Sequence, residues 1–206
     1  RRFPDCHFHV DATQAIGKIQ TDFCLADSVS FAPHKFYGLT GSGVLYKKKG
    51  IPLLPQLHGG ESDSPYRSGT PALAEIRALE CALKLALSEQ DTRNAAVGAH
   101  NTYLRAALSK EKKVSINSPA DAVPHILNLS IAGSRGSAVQ AKLAEAEICI
   151  SVKSACSSDA LPSRAVFAVS RSRKNALASF RVSLSHLTTR EELDALLSAL
   201  SPLLHE

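Results

Sequence analysis

The chain has 206 residues, 44% hydrophobic and 21% charged, the balance of a soluble α/β or α+β protein with one large domain or two small ones. Its longest apolar runs are too short to span a bilayer, and no signal-peptide pattern opens it. The formal net charge of +5 comes from scattered Lys and Arg, with short clusters at Lys47–Lys49 and Arg171–Lys174 and no interleaved aromatics, so it reads as solvated basic faces, and an acidic ligand could equally be a small phosphate as nucleic acid.

In chain order, CHFHVDATQ reads as a buried strand ending at Asp11, DSVSFAPHK as a second ending near Ala32, and GSGVLYKKK as a third. Thr70 and Pro71 then mark a helix start, with Thr70 as N-cap and Leu73, Ile76, Leu79, Leu83 and Leu87 at helical spacing. Asp91 to Leu108 continues as a long helical stretch, broken from the first near Gln90. Beyond Lys113, VPHILNLSIAG reads as a strand, SAVQAKLAEAE as a helix, ICISV and LASFRVSLS as strands, and TTREELDALLSALSPLL as a closing helix. Thr189 and Glu192 form a capping-box pair at its start.

The pattern shift near residues 90–115 divides the chain into a strand-rich piece of an α/β layer, 1–92, and a compact βαβ-β-α unit, 93–206. Three short strands and one helix make a poor core alone, and a parallel sheet needs helices over both faces. The first residue is Arg1, and the chain contains no Met. These features are expected of the C-terminal portion of a larger protein.

The cysteines are Cys6, Cys24, Cys81, Cys149 and Cys156. An odd number without a CxxC pair argues against a disulfide framework or zinc ribbon, leaves no metal site, and suits the cytoplasm or an organelle matrix. The first four sit in mostly apolar surroundings and read as small core residues. Cys156 differs, because SVKSACSSDALP is Ser-rich and polar and places Lys153 three residues before it, the surroundings of an accessible thiol with raised thiolate character. An incidental loop cysteine is the plainer alternative. Asp11 sits at a strand end, where open α/β sheets bind ligands, although DATQ is equally a helix N-cap sequence. Lys35 taken alone is a surface lysine.

Taken together and in order, HVDATQAIGK, SFAPHKFYGLTGSGVLY, HGG, YRSGTPA, SACSS and FRVSLSHLTTREELD resemble the NifS/IscS-like cysteine desulfurases, pyridoxal-phosphate enzymes of fold type I in the class V aminotransferase superfamily. The resemblance covers nearly the whole chain. It implies an α/β fold, with part of the large-domain sheet and its helices followed by a small α+β C-terminal domain. It implies that Lys35 forms the Schiff base with pyridoxal 5'-phosphate and shuttles the substrate α-proton. Asp11 matches the carboxylate on the pyridine nitrogen, Gln14 the residue bonded to the phenolic oxygen, and His34 a phosphate ligand. Thr70 matches a hydroxyl that reaches the phosphate of the neighbouring subunit, which implies a homodimer. Arg181 matches the holder of the substrate carboxylate, and Cys156 the nucleophile that becomes a persulfide.

The implied reaction converts L-cysteine to L-alanine, leaving sulfur for an acceptor or iron–sulfur scaffold protein, with no membrane or nucleic-acid partner. The chain departs from the family at Ala32 and Pro33, where Ser-Gly is usual, and at Glu61 and Asp63. The family's N-terminal part, with its ring-stacking histidine, has no counterpart, so the isolated chain is expected to bind cofactor weakly and turn over poorly or not at all. The alternatives are a selenocysteine lyase or other β-lyase, and a non-catalytic scaffold relative.

Overall fold

The computed structural model of the chain describes residue 3 and residues 5–60, 64–152 and 161–205. Glu61, Asp63 and Cys156 therefore lie outside the described residues. The chain divides into two compact units, Arg1–Gln90 and Asp91–Glu206. Among the described residues no helix is long and apolar enough to cross a membrane.

The first unit holds a mixed three-stranded sheet. Strand β1 (His9–Asp11) runs parallel to β2 (Ser28–Phe31), which pairs antiparallel with β3 (Val44–Lys47). Alternation along the strands sends Val10, Val29, Phe31, Val44 and Tyr46 to one face, where they join the core. Strand β1 is not the buried strand expected from the sequence, since His9 and Asp11 are exposed. Buried Asp27 ties the strand starts together: its carboxylate accepts from the Phe8 N–H at 2.9 Å, and Lys48 Nζ lies 3.4 Å away.

Helix α1 spans Leu73–Ser88. Thr70 is not its N-cap; Ala72 occupies that position, without a side-chain cap, and the Ile76 N–H donates to the Ala72 carbonyl. The leucine stripe is only partly the packed face: Leu73, Ile76 and Leu87 are exposed, and Leu83 packs on the core beside buried Ala82 and Ala86. The reason is close approach. A Cβ on Gly17, which has φ +73°, would lie 3.0 Å from Ala86 Cβ, and one on Gly38 would lie 3.2 Å from Ala82 Cβ. Two glycine turns rest on the alanine face, and larger residues there would push them away.

The second unit is built on an antiparallel sheet, β4 (Val114–Ile116), β5 (Ile126–Ile131) and β6 (Ser179–Ser183), with β5 central. The expected βαβ unit is therefore replaced by neighbours that all run antiparallel, and ICISV is no strand but a single bridge of Ser151 to Arg181. Leu127, Leu129, Ile131, Phe180 and Val182 fill one face. Val97, Leu104 and Leu108 of α2 (Gln90–Leu108), Val139 and Leu143 of α3 (Gly136–Glu145), and Leu193, Leu196, Leu200 and Leu204 of α6 (Arg190–His205) pack with them. The helix break falls at Glu89, between Ser88 and Gln90. Gly136 begins α3 hard against β6, where a Cβ would come 2.3 Å from the Ser179 carbonyl oxygen.

Two short helices, α4 (Arg164–Ser170) and α5 (Arg173–Ala178), have no counterpart in the sequence reading; Ser163 and Ser172 cap them by accepting from the N–H groups of Val166 and Asn175. The four cysteines expected in the core, Cys6, Cys24, Cys81 and Cys149, are all exposed. Cys81 and Cys149 each precede a buried residue, Ala82 and Ile150, and adjacent side chains on a helix or extended segment point apart.

Candidate active site

The chemistry of the first unit gathers where its two parallel strands end. The register pairs Asp11 with Ser30, and the Ala12 N–H donates to the Ser30 carbonyl at 2.8 Å. Both strands deliver a functional turn at this end, the place where open α/β sheets bind ligands. Beyond Asp11 the chain makes a helical turn, Ile16 N–H donating to the Ala12 carbonyl. Beyond Phe31 it makes a 3-10 turn, Pro33–Lys35.

Asp11 is exposed, and its Oδ1 accepts from the Thr13 N–H at 2.9 Å. Hydrogen bonding by the Thr13 side chain and backbone lowers its pKa below the usual carboxylate value, with a further pull from His9. The sign is that of a depressed carboxylate: the anion persists at neutral pH and is lost only as pH falls through the lowered folded value. Lys18 Nζ donates to Gln14 Oε1 at 2.7 Å, which leaves the amide N–H groups of Gln14 for an acceptor. Burial, and next the charge of Lys35, lower the pKa of Lys18. The Gln14–Lys18 turn and Lys35 thus share one electrostatic neighbourhood.

His34 and Lys35 are exposed on their turn, while Pro33 and Phe36 are buried beneath it. Proline fits here as the first residue of the 3-10 turn, and Ala32 before it is extended at φ −128° and ψ 133°, the backbone that proline imposes on its predecessor. The Phe36 and Gly38 N–H groups both donate to the Pro33 carbonyl, and Tyr37 is held at φ +70°. A tyrosine in the left-handed region is uncommon and strained. Nothing in the sequence marked it. The sheet face beside Asp11 carries a further set that sequence reading missed. His7 Nε2 and His9 Nδ1 sit 2.8 and 2.7 Å from Ser28 Oγ, and His9 Nε2 sits 3.2 Å from Ser30 Oγ. The spacing HxHxD, three polar residues of one parity in a strand, was the available signal. Thr70 lies exposed in the irregular segment after Gly69.

In the second unit, Arg181 sits on β6 opposite Asn128 of β5. Its backbone is doubly bonded to Ser151, with N–H to carbonyl distances of 2.6 and 3.1 Å. Its Nε is buried and has no hydrogen-bond partner among the described residues. Asn117, Asn128, Ser130 and Asn175 bond to one another on the same sheet face.

A depressed carboxylate, amide donors, an imidazole and an accessible amine at one strand end fit a pyridoxal-phosphate ring and phosphate: an anion for the ring nitrogen, donors for its oxygen, and a primary amine for its aldehyde. Among known families, the description "Aminotransferase class-V" matches residues 1–196. A "NifS/IcsS protein homolog" of Lactobacillus delbrueckii subsp. bulgaricus is 36% identical over 203 residues, covering 96% of this chain and 53% of its own. A "Cysteine desulfurase IscS" of Methylococcus capsulatus is 36% identical over 197 residues, covering 93% and 48%. A solved "NIFS-LIKE PROTEIN" superposes with a TM-score of 0.85 at 30% identity, covering 95% of this chain and 52% of the solved one. The chain spans about half the length of the curated relatives it matches.

Proposed function

The chain belongs to the class V aminotransferase family, and from that premise we propose that it serves pyridoxal-phosphate-dependent cysteine desulfuration, L-cysteine giving L-alanine and a persulfide on Cys156. The observation that supports this best is that the two parallel strands end side by side, with Asp11 and Gln14 at the end of one and His34 and Lys35 on the turn after the other. In this reading Arg1–Gln90, together with residues to about 92, is the end of the cofactor domain. The remainder is the small domain that carries the substrate arginine and the cysteine segment.

Bound pyridoxal phosphate would supply the electron sink that lets the carbon–sulfur bond break. The Asp11 carboxylate would pair with its ring nitrogen, the Gln14 amide would donate to its phenolic oxygen, and His34 would take a phosphate oxygen. Thr70 would reach a phosphate from a second subunit of a homodimer. Lys35 would hold the cofactor covalently and then carry the proton removed from the substrate α-carbon. Arg181 would receive the substrate carboxylate on its unpartnered donor. The Cys156 thiolate would attack the substrate sulfur; that sulfur stays on Cys156, the electron pair of the broken bond returns to the substrate, and a proton completes the methyl group of alanine. Cys156 lies outside the described residues. A sulfur acceptor or iron–sulfur scaffold protein would receive the product, in a cytoplasmic or organelle-matrix setting.

The test supplies pyridoxal phosphate and L-cysteine to the full-length protein and measures retained cofactor, alanine and sulfur; the isolated 206-residue chain is expected to retain cofactor weakly and to turn over poorly or not at all. Equimolar alanine and persulfide sulfur are expected. Lys35→Ala is expected to abolish both cofactor retention and turnover, and Cys156→Ala to retain cofactor while losing desulfuration. Full desulfuration by Cys156→Ala would overturn the reading in favour of a β-lyase. Failure to retain cofactor with all residues intact would overturn it in favour of a non-catalytic relative.

A further inference from the structure

The second unit contains a cavity of about 580 Å³, within the size range of small-molecule sites. Every residue lining it belongs to Asp91–Glu206, and none is acidic. Arg135 and Lys174 stand on it from opposite segments, the β5–α3 turn and α5, and both are exposed. Neither pairs with a carboxylate among the described residues. Arg135 is also the N-cap residue of α3, so the turn Ala132–Arg135 that lines the cavity leads directly into that helix. Ser134 and Ser172 add hydroxyls, and Leu177 adds an apolar wall.

Two of the cavity's polar groups are already engaged within the fold. Ser130 Oγ donates to the Asn175 carbonyl at 3.0 Å, and Asn175 Nδ2 donates to Asn117 Oδ1 at 2.8 Å. The charged groups on the cavity are a guanidinium and an ammonium, with serine hydroxyls beside them, and the two cations favour an oxyanion. The apolar wall favours a short carbon body attached to it.

We propose that this cavity binds a small organic oxyanion, a phosphate or carboxylate on a short aliphatic body. The charge pair Arg135 and Lys174 supplies most of the affinity, because hydrogen bonds to ionised groups outweigh neutral ones. The residues lining the site all belong to the second unit, whereas Lys35 belongs to the first.

The test titrates the isotopically labelled 206-residue chain with sn-glycerol 3-phosphate and, separately, with butyrate, following amide shifts by NMR. At least one probe is expected to give saturable shifts at Gly133, Ser134, Gly136 and Lys174. Which probe does so identifies the head group. The double variant Arg135→Ala, Lys174→Ala is expected to weaken binding by about tenfold or more. The charge-keeping variant Arg135→Lys, Lys174→Arg is expected to retain it, and Lys35→Ala to leave it unchanged. Both cationic side chains are exposed, so the double variant keeps its melting temperature. Absence of saturable binding by both probes would overturn the proposal. So would shifts confined to the His34–Lys35 turn, or affinity indifferent to the double variant.

Discussion

The two units divide the labour of the chain unequally. The first sets its chemistry on a thin core in which Ala12, Ala26, Ala82 and Ala86 stand beside Ile16, Val29, Phe31 and Phe36. It leaves Leu39, Leu45, Leu54, Leu57 and Leu73 in solvent. The second closes an antiparallel sheet under leucines from three helices, with Leu104, Leu127, Leu129, Leu143 and Phe180 fully buried. Small residues serve the first unit because backbone must approach backbone to hold the Gln14 and Lys35 turns. Large ones serve the second because apolar area removed from water is what stabilises a fold. The strand-end turns of the first unit and the larger core of the second thus rest on different kinds of packing.

The largest break in that contrast is Phe180→Ala. Removing a fully buried ring from the centre of the second core is expected to cost about 3–5 kcal/mol, read from the denaturant midpoint. A loss below about 1 kcal/mol would mean that this core does not anchor the chain. Gly136→Ala follows at about 3 kcal/mol, because its Cβ would meet the Ser179 carbonyl oxygen at 2.3 Å and backbone cannot swing away as a side chain can. Gly38→Ala tests the first unit. Its Cβ would sit 2.7 Å from Pro33 Cβ, so a cost of about 1–3 kcal/mol should come with faster hydrogen exchange around Pro33–Lys35 and unchanged exchange in β5 and β6. Exchange that rises equally in both units would show that the two cores unfold as one.

Legibility in the sequence followed the same division. Strand ends at Asp11 and Phe31, the helix break and the closing helix were readable, because period and turn residues are local signals. The alanine face of α1 was not. Leu73, Ile76 and Leu87 have the right spacing to be buried, and only the nearness of Gly17 and Gly38, far away in sequence, makes Ala82 and Ala86 the packed residues. The cysteines misled for a similar reason, since apolar neighbours in sequence do not decide which way one side chain points. Lys35, Asp11 and Gln14 were named from a family pattern, and the structure puts them at the ends of β1 and β2. The unpartnered Nε of Arg181 and the left-handed Tyr37 were not, because both follow from tertiary packing.

The smallest expected effect is the most local. Thr189 and Glu192 bond reciprocally at the start of α6: the Thr189 N–H donates to Glu192 Oε2 at 2.8 Å, and the Glu192 N–H donates to Thr189 Oγ1 at 3.3 Å. Thr189→Ala removes the hydroxyl and leaves one N–H of the first turn to water. A cost of about 1 kcal/mol is expected. Thr189→Ser restores the acceptor and should recover most of it. Because Leu193 and Leu196 of the same helix are buried in the second core, the loss should appear as global destabilisation and not as fraying alone. If the helix end frays in hydrogen exchange while the midpoint stays fixed, the second unit holds α6 by its leucines and the capping box contributes nothing beyond the first turn.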